Sequence, residues 1–398
     1  MSLAKPYELS KWAVVEAYKK VKANKGAAGV DGQTIKEFDE DLKNNLYKIW
    51  NRMSSGSYFP PAVKVVEIPK GDGKTRKLGI PTVSDRVAQM IVKSHLEPEL
   101  EKYFHPDSYG YRPNKSAHDA LGSARSRCWK FDWAIDLDIK GFFDNLDHEL
   151  VMRAVRKHTD SKWVLLYIER WLKAPAQLND GTLIEREIGT PQGGVISPLL
   201  ANLYLHYVFD TWLAKHYPSN PFERYADDAV VHCASEQEAL QLKEAIAARM
   251  NECKLELHPG KTKIVYCKDD DRQGDYRTIQ FDFLGYTFRP RKVMLRSGKV
   301  FTGFNPAISN KAATKIRQSI KSWKISRWSD KSLADFSCMY RAKIRGWINY
   351  YGRYYKSALY PVFQHLDVQL MKWAMRKYKS LRHSRVKGVL PATQYEFT

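Results

Sequence analysis

Apolar residues at helical spacing open the chain: Leu9, Trp12, Val15, Ala17 and Val21 fall within residues 8–24 and predict an amphipathic helix. The turn-rich segment Lys25-Gly-Ala-Ala-Gly-Val-Asp-Gly32 follows, then a second helical pattern over 36–54 that Pro60 and Pro61 terminate. Val63 to Ile68 alternates as a strand, Gly71-Asp-Gly73 is a hairpin turn signal, and Lys74 to Ile80 reads as the returning strand. A helical pattern covers 84–104. Trp133 to Ile139 is a strand whose alternation sets Ala134, Asp136 and Asp138 on one face and Trp133, Ile135, Leu137 and Ile139 on the other. Helices are predicted at 148–157, 162–173, 197–216 and 236–253. Two strands flank Tyr225-Ala-Asp-Asp228, which places two acids at a hairpin tip, and short β elements are predicted at 263–267 and near 281–288. The texture then changes: 311–325, 331–355 and 361–379 read as three helices rich in Lys, Arg, Trp and Tyr. The predicted boundary lies near 290–305, around Arg289-Pro290 and Asn305-Pro306, dividing the chain into 1–295 and 296–398.

A chain of 398 residues with 43% hydrophobic and 27% charged content can bury more than one core. No apolar run reaches the ~18 residues of a membrane span, and the first residues, MSLAKPYELSKW, lack the apolar core of a secretory signal. Five scattered cysteines with no C-x-x-C pair argue against a disulfide framework or structural zinc, so a reducing cytoplasm is expected. The net charge is +21, and from Arg289 onward 24 Lys plus Arg stand against 4 Asp plus Glu. Nearly all of the excess lies in the last quarter, as in a nucleic-acid-binding segment joined to a near-neutral body.

Two acidic sites distant in sequence carry the chemistry: Asp138, in Asp138-Ile-Lys-Gly-Phe-Phe143, and the pair Asp227-Asp228. Nucleotidyl transfer requires two divalent ions about 3.5–4 Å apart, held by carboxylates from neighbouring strands. The protein's part is positioning and charge neutralisation. Oxygen ligands suit Mg²⁺. An Asp-Asp turn alone is a weak signal, since Asp favours turns. Here apolar Tyr225-Ala226 and Ala229-Val-Val231 flank it, which places the acids between buried strands, where unpartnered carboxylates are costly.

Tyr225-Ala-Asp-Asp228 resembles the Y-x-D-D box of reverse transcriptases, Asp138-Ile-Lys-Gly-Phe-Phe143 resembles their first catalytic motif, and Gly189-Thr-Pro-Gln-Gly-Gly-Val-Ile-Ser-Pro198 their P-Q-G motif, in the same order. The chain is further similar to bacterial group II intron reverse transcriptase/maturases in Ile68-Pro-Lys, Arg76-Lys-Leu-Gly-Ile-Pro81, Asp85-Arg86, Ser108-Tyr-Gly-Tyr-Arg-Pro113 and Ile344-Arg-Gly-Trp-Ile-Asn-Tyr-Tyr351. Lys25 to Asp31 matches that group's N-terminal extension, about residues 1–60, and the likeness runs from about residue 10 to about 380. It implies an α+β right-hand polymerase: fingers, a palm with an antiparallel sheet, and a three-helix thumb.

The same resemblance implies the roles. Asp138, Asp227 and Asp228 would hold two Mg²⁺ ions, with Mn²⁺ a possible substitute, and the carbonyl of Ile139 would add a ligand; Asp136 is a second candidate on the same face. Phe143 would lie beneath the sugar and exclude a 2′-hydroxyl, or else be a plain core residue. Lys74 and Arg76, with Lys70 behind them, would reach the triphosphate. Gln192 would approach the incoming nucleotide or the template, and Lys261 would donate a proton to pyrophosphate. Arg112 would contact the template, or else brace a turn. In the helix over 331–355, Arg341, Lys343 and Arg345 form a cationic side with Trp347, Tyr351 and Tyr355 at spacing four. This is the expected thumb, or maturase, segment that grips an A-like duplex with a steep salt dependence. The expected partners are an RNA template, a DNA or RNA primer, dNTPs and group II intron RNA. Neither an HNH-type nuclease nor a DNA-binding extension is legible after Tyr378. Two alternatives remain open at this point: a domesticated enzyme in defence, CRISPR or DNA repair, and a non-catalytic RNA-binding splicing cofactor.

Overall fold

Hydroxyl and carboxylate side chains cap several of the helix starts that the hydrophobic pattern marks out. In the computed structural model, which describes residues 5–69, 75–294 and 297–381, Ser10 caps α1 (Lys11–Asn24) and Thr34 forms a capping box with Glu37 at the head of α2 (Ile35–Glu40). Asp41 leaves helical geometry (φ −124°) and divides the single helix predicted over 36–54 into α2 and α3 (Leu42–Ser55). β1 (Val63–Pro69) and β2 (Thr75–Ile80) pair antiparallel, Lys64 opposite Ile80 and Pro69 opposite Thr75. Lys70 and Lys74, between the two strands in sequence, lie outside the described residues. Thr82 caps α4 (Val83–Leu100).

α5 (Ala117–Cys128) has no counterpart in the sequence reading, because its buried side Ala120, Leu121, Ala124 and Cys128 is mostly small residues. β3 (Trp133–Leu137) leads through a 3₁₀ turn at Phe142–Asp144 into α6 (His148–Arg156) and α7 (Lys162–Lys173). The short β4 (Ala176–Gln177) and β5 (Leu183–Ile184) precede α8 (Ser197–Leu205), which passes by a π-helical stretch, His206–Asp210, into α9 (Thr211–His216). β6 (Phe222–Tyr225), β7 (Asp228–Cys233), α10 (Glu236–Glu252), β8 (Lys263–Tyr266) and β9 (Phe281–Phe283) follow. Around the predicted boundary the chain builds a long hairpin, β10 (Tyr286–Met294) with β11 (Val300–Ile308). Pro290 and Pro306 are compatible with it because β11 is an edge strand and β9 pairs with β10 only from Tyr286 to Phe288. α11 (Asn310–Ser322), α12 (Leu333–Tyr351) and α13 (Tyr360–Lys377) are the three helices predicted near the end.

Among the described residues the strands form three sheets, ordered β2-β1-β4-β5, β6-β7-β3-β8 and β11-β10-β9. By contacts the chain forms two compact units that interleave in sequence: Met1–Ser116, Leu137–Val231 and Leu240–Thr262 make one, and Ala117–Asp136, His232–Ala239 and Lys263–Thr398 the other. In the second unit, Ile316, Ile320, Trp323, Phe336, Val362 and Trp373 make a common core for α11, α12 and α13. None of the five cysteines is joined in a disulfide. No described helix is long and apolar enough to cross a membrane.

Candidate active site

The acids of the Y-A-D-D segment are displayed by the tightest possible hairpin. Tyr225 pairs with Asp228, so only Ala226 and Asp227 form the loop. Ala226 adopts φ 58°, a left-handed conformation normally left to glycine at this loop position and costing about 1 kcal/mol for a residue with a Cβ. Burial pushes the Asp227 carboxyl above its ordinary range, and the Asp138 charge adds to this. Asp228 is open to solvent on one side and surrounded by protein on the others. That enclosure, with the charges of Asp227 and Asp138, pushes it up to about 6. Asp138 follows β3 directly. Its carbonyl accepts from the His258 N–H at 2.8 Å, and its carboxylate oxygens lie 3.2 and 3.4 Å from Lys261 Nζ. Ile139 is buried and bridges to Leu257. Asp136 stands opposite Lys263 in the β3–β8 ladder.

Among the described residues, no three His, Cys, Asp or Glu side chains converge closely enough to enclose an ion as they stand. The chemistry of the donors nevertheless fits a hard divalent cation. The Asp138 charge raises the proton affinity of both Asp227 and Asp228, the Asp227 charge adds to that of Asp228, and Lys261 is the cation that answers Asp138.

The Pro-Gln-Gly loop is fastened on two sides. Arg76 Nε donates to Gln192 Oε1 at 2.6 Å, and the Gly79 N–H donates to the Gln192 carbonyl at 2.8 Å. Gly193 (φ 124°) must be glycine, since a Cβ there would strike the Gly79 carbonyl oxygen. Towards the catalytic strand, the Thr190 N–H donates to the Phe143 carbonyl at 2.8 Å. The Phe143 ring is 7% exposed and meets Phe142 edge-on at 5.3 Å. Gln89, which nothing in the sequence singled out, accepts from the N–H groups of Val195 (2.7 Å) and Ile196 (3.3 Å) at the loop's far end. Its own amide donates to the buried Asp85, which also receives Trp171 Nε1 at 2.7 Å and the Tyr58 hydroxyl at 3.1 Å.

The Ser108–Pro113 motif lies beside the acidic turn. Arg112 turns inward: it pairs with Glu101 at 2.9 Å and donates to the carbonyls of His105 and Ser108 at 2.6 and 2.7 Å. Of its two expected roles, this geometry favours bracing the turn. Tyr111, unnoticed in the sequence, is an exposed aromatic of the motif, with φ 57° and its ring 6.5 Å from that of Tyr225. Burial and the Asp227 charge push its phenol upward. In the second unit, Arg341, Lys343 and Arg345 are exposed on α12. Lys343 Nζ lies 5.8 and 5.6 Å above the rings of Trp323 and Trp347, and Trp323 stacks on Tyr340 at 3.9 Å.

Two family models match the chain, and several known proteins are similar to it. The family model described as reverse transcriptase (RNA-dependent DNA polymerase) matches residues 68–288. The model for the group II intron maturase-specific domain matches residues 313–389. Protein YkfC of Escherichia coli is 31% identical over 302 residues, covering 64% of this chain and 77% of its own. The group II intron-encoded protein LtrA of Lactococcus lactis is 28% identical across 95% of this chain and 74% of its own length. A putative COX1/OXI3 intron 1 protein of Saccharomyces cerevisiae is 28% identical over 200 residues, half of this chain and 24% of that protein.

Proposed function

This chain belongs to the reverse transcriptase family of RNA-dependent DNA polymerases, and from that premise we propose that it copies RNA into DNA at the site formed by Asp138, Asp227 and Asp228. The family works with divalent metal ions. We assign two Mg²⁺ ions, or Mn²⁺ in their place, to these three carboxylates and the Ile139 carbonyl. Bound there, the ions would activate the primer 3′-hydroxyl and neutralise charge on the triphosphate and the leaving pyrophosphate. The observation that carries this reading is the strained two-residue turn that displays Asp227 and Asp228 within reach of the Asp138 charge, which pushes both carboxyls up.

The remaining residues serve substrate placement. Arg76 and Gln192, already joined, would grip the triphosphate side of a dNTP, with Lys74 assisting. Phe143, held by Thr190, would set the floor under the sugar. Lys261, beside Asp138, would hold a proton near the leaving pyrophosphate. We take residues up to about 295 as fingers and palm and the rest as thumb, supported by the separate spans of the two family matches. Arg341, Lys343 and Arg345 would grip the backbone of a template–primer duplex and of group II intron RNA. By likeness to the intron-encoded LtrA, the chain would serve splicing and mobility of its intron.

Primer extension on an RNA template with Mg²⁺ and dNTPs tests the reading. The wild type is expected to extend, and Asp227→Ala/Asp228→Ala to lose at least about 10³-fold in rate while retaining RNA binding. Undiminished extension by the double variant would remove the assignment. Absence of extension by either, with tight RNA binding retained, would favour the non-catalytic splicing cofactor.

A further inference from the structure

We infer that Arg224 is a positioning residue: it fixes the backbone of the Ala226–Asp227–Asp228 turn and thereby the reach of its two carboxylates towards divalent metal ions. This deepens the reading of Asp227 and Asp228 as metal-holding groups and rests on it.

Arg224 immediately precedes Tyr225, and its side chain is 1% exposed. The guanidinium makes five hydrogen bonds. Nε and Nη2 donate to the two carboxylate oxygens of Asp210, each at 2.6 Å. Nη2 also donates to Ser108 Oγ at 2.8 Å. Nη1 donates to Asn202 Oδ1 and to the carbonyl of Ala226, both at 3.0 Å. A buried guanidinium with five N–H donors is fully satisfied by such a set. Four of these bonds anchor the group to α8, to the end of the π-helical stretch and to the Ser108 segment. The fifth reaches the single residue of the hairpin loop that is left-handed without being glycine.

A second path closes on the same peptide. The backbone of Arg224 is bound on both sides: its N–H donates to the Asp107 carbonyl at 2.9 Å, and its carbonyl accepts from Tyr109 at 2.8 Å. Asn202 Nδ2 donates to the Gly110 carbonyl at 2.6 Å. Gly110 lies so close under the turn that a Cβ there would strike the backbone nitrogen of Ala226. Ala226 is thus held at its carbonyl by Arg224 and faced at its nitrogen by Gly110, with Asn202 joining the two. A left-handed alanine persists where its surroundings over-determine it, and these are the surroundings. Lysine cannot substitute, because one ammonium on a flexible stem cannot span Asp210, Asn202, Ser108 and a carbonyl at once.

The test uses the full chain and four variants: Arg224→Lys, Ala226→Gly, the two combined, and Asp227→Ala. Mn²⁺ binding without nucleic acid is read by electron paramagnetic resonance, alongside single-nucleotide incorporation and Tm. Arg224→Lys is expected to weaken Mn²⁺ binding and slow incorporation by about tenfold or more, since small misplacements at a catalytic centre have effects of this size. In the Ala226→Gly background the same change is expected to have a several-fold smaller effect, because glycine holds a positive φ unaided. Unchanged Mn²⁺ affinity in Arg224→Lys, or an equal loss in both backgrounds, overturns the positioning role. Asn202→Ala, which removes an acceptor from Nη1 and leaves the Asp210 pair intact, is expected to move Mn²⁺ affinity in the same direction. It decides the matter if Arg224→Lys does not fold, and wild-type affinity in it overturns the role. Asp227→Ala separates the underlying reading: wild-type Mn²⁺ binding there removes the metal assignment itself, whereas loss there with no effect of Arg224→Lys removes only the positioning role.

Discussion

Phe143 is nearly buried, yet its carbonyl is joined to the loop that carries Gln192. A nearly buried ring whose backbone is tied to that loop is suited to reject a hydroxyl by shape. Phe143→Val is expected to lower the preference for dNTP over rNTP by about 10–100-fold, the range that pocket shape supplies. Single-nucleotide incorporation with matched dNTP and rNTP measures this, and an unchanged ratio would leave Phe143 as a core residue only. At this scale the sequence was most legible in placement, as in setting Asp227 and Asp228 at a hairpin turn. It was least legible where a residue's task depends on a partner far along the chain. Arg112 reads equally as a template contact or a turn brace until Glu101 and two carbonyls are seen to absorb its donors. Arg224 and Gln89 gave no signal, because Asp210 and Val195, which define their tasks, have no fixed spacing from them.

Among the elements, α4 links a buried acid to the Pro-Gln-Gly loop. Asp85 is 1% exposed, and burial pushes its carboxyl from an ordinary 3.8 up to about 6, against three hydrogen bonds that lower it. Because the folded state binds this proton more readily than the unfolded chain, Asp85 favours folding as pH falls from about 6 towards about 4. That contribution is absent at neutral pH and amounts to about 3 kcal/mol when complete. Denaturant unfolding between pH 4.5 and 7.5 should show this slope in the wild type and a flatter one in Asp85→Asn; identical slopes would contradict it. Helices and strands with strong periodicity were legible, including the three at the end. α5 was not, since small residues face its core, and β11 was not, since Asn305-Pro306 reads as a break until edge pairing accommodates the proline. The π-helical turn at His206–Asp210 was also hidden in a continuous apolar pattern, although it ends on the residue that anchors Arg224.

For the whole molecule, the charge asymmetry and the order of motifs were legible before any coordinates, and they agree with the two family matches along the chain. The interleaving of the compact units was not, because it arises from contacts between segments that periodicity treats separately. The central claim, that these carboxylates bind the catalytic metal ions, is tested most directly by exchanging one oxygen ligand for sulfur. Single-turnover incorporation of one dNTP on an RNA template would be measured for wild type, Asp227→Ala and Asp227→Cys, each with Mg²⁺ and with Mn²⁺. A thiolate favours the softer ion, so Asp227→Cys is expected to lose about 10³-fold in Mg²⁺ and to recover about tenfold or more in Mn²⁺, beyond any gain by Asp227→Ala. Near wild-type rates for Asp227→Cys in Mg²⁺, or an equal Mn²⁺ response in the cysteine and alanine variants, would contradict the account.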